Sequence, residues 1–179
     1  MTDDIKKRLD VVLVAGGKYH DIDFARLELL KLLAEDERIR TRVYEDYSNL
    51  HAVSNADFLI TYTCDVRPTL EQQKVLRDFV ANGKRWLALH GTNSILQFLS
   101  DGRVDCPRVA PIFMETLGSQ FLSHPPIEPY TVTVADGDHH LVEGVEPFQT
   151  NDELYLMETH GELHVLLETE FEGNTPGFV

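Results

Sequence analysis

Two histidines follow strand-like apolar segments of the sequence, and imidazole is the side chain best suited to proton transfer near neutral pH. His20 comes shortly after the apolar residues 11–17, and His90 ends the segment 84–90. A free imidazole titrates near pH 6.5, so it can both accept and donate protons under physiological conditions. This pair therefore suits enolisation, isomerisation or hydrolysis of a small substrate by proton transfer.

His124 and Glu153 are two further candidates for the same site. His124 precedes two prolines, and the alternative is that it only anchors its loop. Glu153 lies at the start of a predicted strand, where it is either a general acid/base or metal-binding carboxylate, or else only a surface carboxylate or cap. The imidazoles of His20, His90 and His124 would also suit a zinc ion, although the chain has no His-Glu-x-x-His spacing.

Residues 87–92, Leu-Ala-Leu-His-Gly-Thr, predict a sharp turn from a strand into a helix. Hydrolases and amidotransferases place a serine or cysteine nucleophile at the apex of such a turn, but the apex here is His90. Cys64 also follows a strand, yet the Asp-Val-Arg-Pro sequence after it does not form this kind of turn. The sequence therefore disfavours a cysteine-dependent amidotransferase and a Ser-His-Asp hydrolase.

Strands and helices alternate in the first hundred residues. The sequence predicts strands over residues 11–17, 40–44, 57–63 and 84–90, helices over 22–33, 69–83 and 94–99, and a polar loop over 45–51. Thr69 and Gln72 match a capping box at the start of the second helix. This order predicts a parallel α/β sheet with helices on both faces. Ligands of such sheets bind outside the carboxyl ends of the strands, which is where His20 and His90 are expected.

The second half of the chain is less regular. Its pattern predicts one or two helical turns over residues 112–118, strands over 130–135, 153–157 and 164–167, and a turn over 136–140. His139 and His140 in that turn are expected to face solvent. No linker or internal repeat divides the sequence, so residues 1–179 are expected to form a single domain.

Composition and charge narrow the range of partners. The chain has 179 residues and a net charge of −14, which disfavours binding to nucleic acids and to anionic membranes. It has no apolar run of the length that crosses a bilayer and no signal-peptide pattern at its start, so a cytoplasmic location is expected. Two cysteines are too few for a disulfide framework, and both are expected to be reduced thiols.

Four segments, in order, resemble the ThuA-like family, which is named for trehalose utilisation. They are Val-Ala-Gly-Gly-Lys-Tyr-His-Asp at 14–21, Ala-Leu-His-Gly-Thr-Asn at 88–93, Gly-Ser-Gln-Phe-Leu-Ser-His-Pro-Pro at 118–126, and Phe-Gln-Thr-Asn-Asp-Glu-Leu-Tyr at 148–155. The resemblance covers about residues 11–170. It implies a flavodoxin-like, three-layer α/β fold with a mostly parallel sheet, similar to class I glutamine amidotransferases without their cysteine nucleophile. Family members usually run further, so this chain is expected to be a short or truncated member.

The resemblance also implies a role in carbohydrate metabolism, on a disaccharide such as trehalose or on a keto-sugar. Under this hypothesis His90 is the central catalytic residue, His20 and His124 orient the sugar or share proton transfer, and Glu153 is the acid/base. The residues expected to contact the substrate are Gly17, Tyr19, Thr92 and Asn93.

Two alternatives to metal-free acid/base catalysis stay open. One is a metal-dependent hydrolase that holds a divalent ion such as zinc. The other is a sugar-binding or assembly subunit without catalysis, in which aromatic residues would line a groove; the candidates are Tyr19, Tyr62, Trp86 and Phe121. A homodimer is the expected oligomeric state.

Overall fold

The computed structural model describes residues 7–171 and 177–178. Its backbone divides into two compact units, Met1–Leu117 and Gly118–Val179, and each is described separately below. The expectation of a single domain over residues 1–179 stays a prediction.

The first unit is built on a four-stranded sheet in the order β2-β1-β3-β4, in which every pair of neighbours is parallel. This confirms the predicted parallel α/β architecture. Its elements are β1 (Leu9–Gly17), α1 (Ile22–Leu33), β2 (Ile39–Tyr44), α2 (Leu50–Asn55), β3 (Phe58–Cys64), α3 (Leu70–Ala81), β4 (Arg85–Leu89), a 3₁₀ turn (His90–Asn93), the two-residue strands β5 (Gln97–Phe98) and β6 (Val104–Asp105), and α4 (Pro111–Leu117).

The sheet is covered on both faces because its central strand, β1, is apolar at nearly every position. Val12 and Val14 pack with side chains of α2, α3 and α4 on one face. Val11 and Leu13 pack with α1 on the other face, where Leu33 is the buried residue of that helix. Continuous apolar strands of this kind are typical of sheets that are buried on both sides.

The helix α3 begins with the capping box that the sequence predicted. The Thr69 hydroxyl accepts a hydrogen bond from the Gln72 backbone N–H, and the Gln72 side chain accepts one from the Thr69 N–H. Two of the backbone N–H groups that a helix start leaves without helical partners are thereby satisfied.

Thr69→Ala is expected to lower the free energy of unfolding by about 1 kcal/mol, because the cap hydroxyl is lost. Urea denaturation followed by circular dichroism measures this difference. Thr69→Ser keeps the hydroxyl and serves as the control, with an expected stability close to that of the wild type. Equal stability of the alanine and serine variants would contradict the assigned role of the cap.

Two sequence predictions for the first unit are wrong. The segment between β2 and β3 was expected to be only a polar loop, but it contains the six-residue helix α2, capped by the Asn49 side chain. The helix expected over residues 94–99 is absent; Ser94 and Ile95 are buried, and the chain then enters the hairpin of β5 and β6.

The second unit is built from antiparallel strands. Its elements are β7 (Ser119–Ser123), β8 (Glu128–Val134), a 3₁₀ turn (His140–Val142), β9 (Phe148–Asp152), β10 (Leu156–Thr159), β11 (Leu167–Thr169) and β12 (Gly177–Phe178). One sheet pairs β7 with β10, and the other has the order β12-β11-β8-β9. The strand predicted over residues 153–157 is displaced, so Glu153 follows β9 instead of opening a strand.

Among the residues that the structure describes, no helix combines the length and the apolar character that a membrane span requires.

Candidate functional site

The site in the first unit lies at the carboxyl ends of three neighbouring strands. The pairing of β1 with β3 places Gly17 beside Cys64, and the pairing of β3 with β4 places Tyr62 beside Leu89. The segments that follow these strands therefore leave the sheet at one edge. That edge is where parallel α/β proteins bind their ligands.

Each of these three segments contains a non-glycine residue in the left-handed backbone region. These residues are Tyr19 (φ 70°), Asp65 (φ 55°) and His90 (φ 44°), and among the described residues no other non-glycine residue has a positive φ. This conformation costs an L-residue on the order of 1–2 kcal/mol. Strained backbone of this kind concentrates at functional sites, where the fold holds it in place.

Glycines allow the strand ends to approach one another very closely. A Cβ atom on Gly16 would lie 2.0 Å from the Glu45 carbonyl oxygen, and one on Gly17 would lie 1.9 Å from the Cys64 carbonyl oxygen. The Lys18 backbone N–H donates to that same Cys64 oxygen at 3.0 Å. The role of Gly17 in this structure is thus to bring the segment with His20 close to β3.

His20 and His90 meet at this edge. Their ring centroids are 4.7 Å apart with an interplanar angle of 70°. The Tyr62 ring lies nearly parallel to that of His90, at 6.0 Å. A Cβ atom on Gly91 would lie 3.2 Å from His20 Nε2, so the absence of a side chain at Gly91 leaves the space that this nitrogen occupies. All three rings are half-buried, which leaves them accessible to a small ligand.

An ion pair links the segments that follow β1 and β3. Lys18 Nζ lies 2.8 Å from Asp65 Oδ2, and the hydrogen bond to Asp65 raises the pKa of the Lys18 ammonium group. Asp65 also accepts a hydrogen bond from the Leu96 N–H at 3.1 Å, and its own N–H donates to the Ser94 carbonyl at 2.8 Å. Asp65 therefore holds together three segments of the edge.

Thr92 stabilises the turn that carries His90. This residue is 3% exposed, and its hydroxyl donates to the Leu89 carbonyl at 2.8 Å and lies 3.1 Å from the Thr61 hydroxyl. Asn93 is buried beside it. Substrate contacts from Thr92 and Asn93 stay a prediction, whereas the structure gives Thr92 a role in holding the turn.

Thr92→Val is expected to lower the free energy of unfolding by about 1–2 kcal/mol, because it buries the Leu89 carbonyl without its hydrogen-bond donor at nearly constant side-chain volume. Chemical denaturation measures the change. Thr92→Ser keeps the hydroxyl and should recover most of the stability. A valine variant as stable as the wild type would show that the hydroxyl does not hold the turn.

A polar cleft of about 460 Å³ opens beside His20. Its lining includes the charged side chains of Asp21, Asp23, Arg26 and Glu45. The Arg26 guanidinium donates to the Ala15 carbonyl at 2.8 Å and pairs with Asp23 at 2.7 Å. A cleft with both carboxylates and a guanidinium offers acceptors and donors for a ligand rich in hydroxyl groups. Arg26 and Glu45 carry no functional signal in the sequence, because neither lies in a recognisable motif.

The second unit brings together the other two predicted residues. His124 Nε2 lies 3.8 Å from Glu153 Oε1, and His124 Nδ1 lies 2.8 Å from the Pro125 carbonyl oxygen. Because that carbonyl can only accept, Nδ1 carries the proton and Nε2 faces the carboxylate. The centroid of the Phe121 ring lies 6.2 Å from that of His124 and 4.3 Å from that of Tyr155. The expectation that these residues act together with His20 and His90 stays a prediction.

Three other histidines of the second unit, His139, His140 and His164, form a group near the predicted turn. His164 Nε2 lies 2.6 Å from Asp136 Oδ2, and this hydrogen bond lowers the pKa of the Asp136 carboxyl group. The His139 ring lies 4.6 Å from that of His140 and 5.1 Å from that of His164. His139 Nδ1 accepts the Leu141 N–H, so these contacts hold the turn.

Comparisons with known proteins agree with this architecture. The model of the ThuA family, described as trehalose utilisation, matches residues 10–177. A ThuA-like protein from Bacteroides uniformis ATCC 8492 has a similar structure, with 17% identity and a TM-score of 0.70 over 92% of this chain and 69% of that one. A ThuA-like protein from Parabacteroides merdae ATCC 43184 has 17% identity and a TM-score of 0.62 over 91% and 68%. At this identity the likeness is one of fold, and it supports the predicted flavodoxin-like α/β architecture. No curated protein matches the chain.

Proposed function

This chain belongs to the ThuA family, described as trehalose utilisation, and from that premise we propose that it acts on a carbohydrate by acid/base chemistry at His20 and His90. The observation that carries the proposal is the pair of half-buried imidazoles, 4.7 Å apart, at the carboxyl edge of the parallel sheet. His90 directly follows β4 and opens the 3₁₀ turn His90–Asn93 in a left-handed conformation, which the surrounding structure must stabilise.

Covalent catalysis by a cysteine has little support. The residue at the turn after β4 is His90, and Cys64 at the end of β3 is only 2% exposed. Burial raises the pKa of the Cys106 thiol and so disfavours its nucleophilic thiolate form. Proton transfer by imidazole is the chemistry that these side chains supply without a nucleophile.

The reaction that fits two imidazoles is enolisation of a keto-sugar. One imidazole, in its neutral form, takes the proton from the carbon next to the carbonyl group. The other, in its protonated form, donates a proton to the carbonyl oxygen, and the product is an enediol. A proton then returns to the former carbonyl carbon, while the hydroxyl group on the neighbouring carbon loses its proton and becomes the new carbonyl group. This gives the isomeric sugar and restores both imidazoles.

The polar cleft beside His20 supports a neutral, hydroxyl-rich substrate. Asp21, Asp23 and Glu45 offer hydrogen-bond acceptors, and Arg26 offers donors. The net charge of −14 disfavours anionic sugars such as sugar phosphates, because the field of the whole protein repels them.

Deuterium exchange tests this proposal. The protein is incubated in D₂O with D-fructose and with a keto derivative of trehalose, and ¹H NMR follows the signals of the C–H protons next to the carbonyl group. We expect these signals to fade faster than in buffer alone for at least one of the two sugars. Exchange no faster than in buffer for both sugars would contradict acid/base chemistry and favour a non-catalytic sugar-binding protein.

A metal-dependent hydrolase is the second candidate, favoured by the same short distance between the rings of His20 and His90. Two imidazoles would supply half of the ligands that a tetrahedral zinc ion requires. Elemental analysis of the purified protein and of His90→Ala tests this alternative. Stoichiometric zinc that is lost in the variant would support it, and no metal in either protein would contradict it.

A further inference from the structure

Two large exposed aromatic side chains contact each other, and one of them is adjacent in sequence to the histidine pair. Tyr19, which directly precedes His20, is 56% exposed, and Phe98 is 58% exposed. Their ring centroids lie 5.6 Å apart with an interplanar angle of 48°. Aromatic residues bury large apolar areas when they pack in a core, so an exposed contacting pair points to a binding surface.

Tyr19 has a strained backbone conformation at the edge of the sheet. Its φ of 70° lies in the region that glycine adopts without cost and that a tyrosine adopts at about 1–2 kcal/mol. A glycine at this position would be compatible with the turn and would relieve the strain. A tyrosine in its place is therefore better explained by what its ring contacts than by the stability of the fold.

Phe98 is held in place by the same network that orders the site. It lies in the hairpin of β5 and β6, which is closed by a hydrogen bond from the Leu99 N–H to the Arg103 carbonyl. The base of this hairpin is tied to Asp65 through the Leu96 N–H, and Asp65 pairs with Lys18, the residue before Tyr19. One carboxylate thus anchors the segments that carry both rings.

We propose that Tyr19 and Phe98 form the platform on which the pyranose ring of a neutral sugar stacks. The faces of aromatic rings carry partial negative charge and attract the C–H groups of a pyranose, while its hydroxyl groups reach the polar cleft beside His20. The position of Tyr19 next to His20 brings a sugar on the platform close to the imidazole pair. The identity of the ligand as a carbohydrate rests on the proposed function.

Binding measurements on matched variants test this inference. The probe is trehalose, with maltose and cellobiose as further pyranosides and mannitol as an open-chain polyol without a ring face. Saturation-transfer NMR detects contact with the sugar C–H groups, and calorimetry gives Kd. The variants are Tyr19→Gly, Tyr19→Phe and Phe98→Ala. Phe24→Ala is the control, since Phe24 is an aromatic residue of α1 that is 61% exposed.

We expect the wild type, Tyr19→Phe and Phe24→Ala to bind at least one of the pyranosides alike, and none of them to bind mannitol. Tyr19→Gly and Phe98→Ala should weaken pyranoside binding about tenfold, an effect typical of a lost aromatic contact. Tyr19→Gly should also unfold at an equal or higher temperature than the wild type, because the backbone strain is removed. Weaker binding with unchanged or raised stability cannot result from unfolding.

Several results would overturn the inference. They are wild-type affinity in Tyr19→Gly, no binding of any pyranoside by the wild type, equal binding of mannitol, or a change of oligomeric state in the platform variants with sugar affinity unaltered. The last outcome would make the pair an interface between copies of the chain. The proposed catalysis is tested separately by deuterium exchange. Pyranoside binding that depends on Tyr19, without deuterium exchange, would support the aromatic platform and contradict the acid/base function.

Discussion

Replacement of His90 with asparagine is expected to slow deuterium exchange into the keto-sugar by about 10²–10⁴-fold, the usual contribution of a general acid or base. Asparagine is chosen because it tolerates the left-handed conformation that His90 adopts at φ 44°. The fold should therefore stay intact, and the melting temperature should not fall. Loss of exchange without loss of stability assigns the effect to chemistry at the imidazole.

Substitution of the neighbouring histidine, His20, provides a second test of the same mechanism. His20→Gln should also slow exchange strongly, and the His20, His90 double variant should be little worse than either single variant, because the two imidazoles act in one proton transfer. Since one imidazole must be neutral and the other protonated, the rate should pass through a maximum with pH and fall on both sides. His51→Gln, at an exposed position in α2, is the control and should retain full activity.

Two results would contradict this assignment. Exchange at the wild-type rate in His90→Asn would remove the central residue from the mechanism. Additive losses in the double variant would mean that the two histidines act in separate steps, so that their short ring distance has another purpose.

The parallel sheet and its edge could be predicted from the sequence because the strands β1 and β3 are apolar at most positions and are followed by turn-like segments. The start of α3 was predictable for a similar reason, since Thr69 and Gln72 are only three residues apart and their contact is local. Local patterns of this kind depend little on the rest of the chain.

The missed elements depend on contacts that the sequence does not display. The helix α2 has six residues, too few to show a helical period, and its buried residues Ala52 and Val53 gain their stability from packing against the sheet. The segment after the His90 turn has enough apolar residues for a helix, but Asp65 instead holds its extended backbone at Ser94 and Leu96.

The site was predictable in part. His20 and His90 could be placed at one edge because each follows a strand of the same sheet. The left-handed backbone at Tyr19 and Asp65 left no signal, since positive φ values are expected at glycines. Arg26 and Glu45 reach the cleft from α1 and from the end of β2, and only the pairing of β1 with β2 reveals that they are neighbours.

Gly16→Ala is expected to lower the free energy of unfolding by about 3 kcal/mol, because its Cβ atom would overlap a backbone carbonyl and the strands would have to separate. The contact in question is 2.0 Å to the Glu45 oxygen. Gly17→Ala should be at least as damaging, since it adds a strained φ of 109° to a contact of 1.9 Å with the Cys64 oxygen. Urea denaturation measures both changes.

Substitutions at two other glycines measure backbone strain without steric overlap and the effect of a glycine that has neither. Gly83 has a φ of 79°, and no heavy atom lies within 4 Å of the position that a Cβ atom would take there, so Gly83→Ala measures strain alone, about 1 kcal/mol. Gly137 has neither a positive φ nor a close neighbour, and Gly137→Ala should change stability by less than about 0.5 kcal/mol. A Gly16→Ala variant as stable as Gly137→Ala would contradict the close approach of β1 and β2.

Gly16→Ala and Gly83→Ala also test whether catalysis depends on the close packing of the strand ends. Separation of β1 from its neighbours moves the segment after Gly17, and His20 moves with it relative to His90. Gly16→Ala should therefore lose deuterium exchange under conditions where the protein is still folded, whereas Gly83→Ala, whose strain lies at the far end of α3, should lose stability alone. Exchange that is retained in folded Gly16→Ala would show that the imidazole pair does not depend on the tight packing of the strand ends.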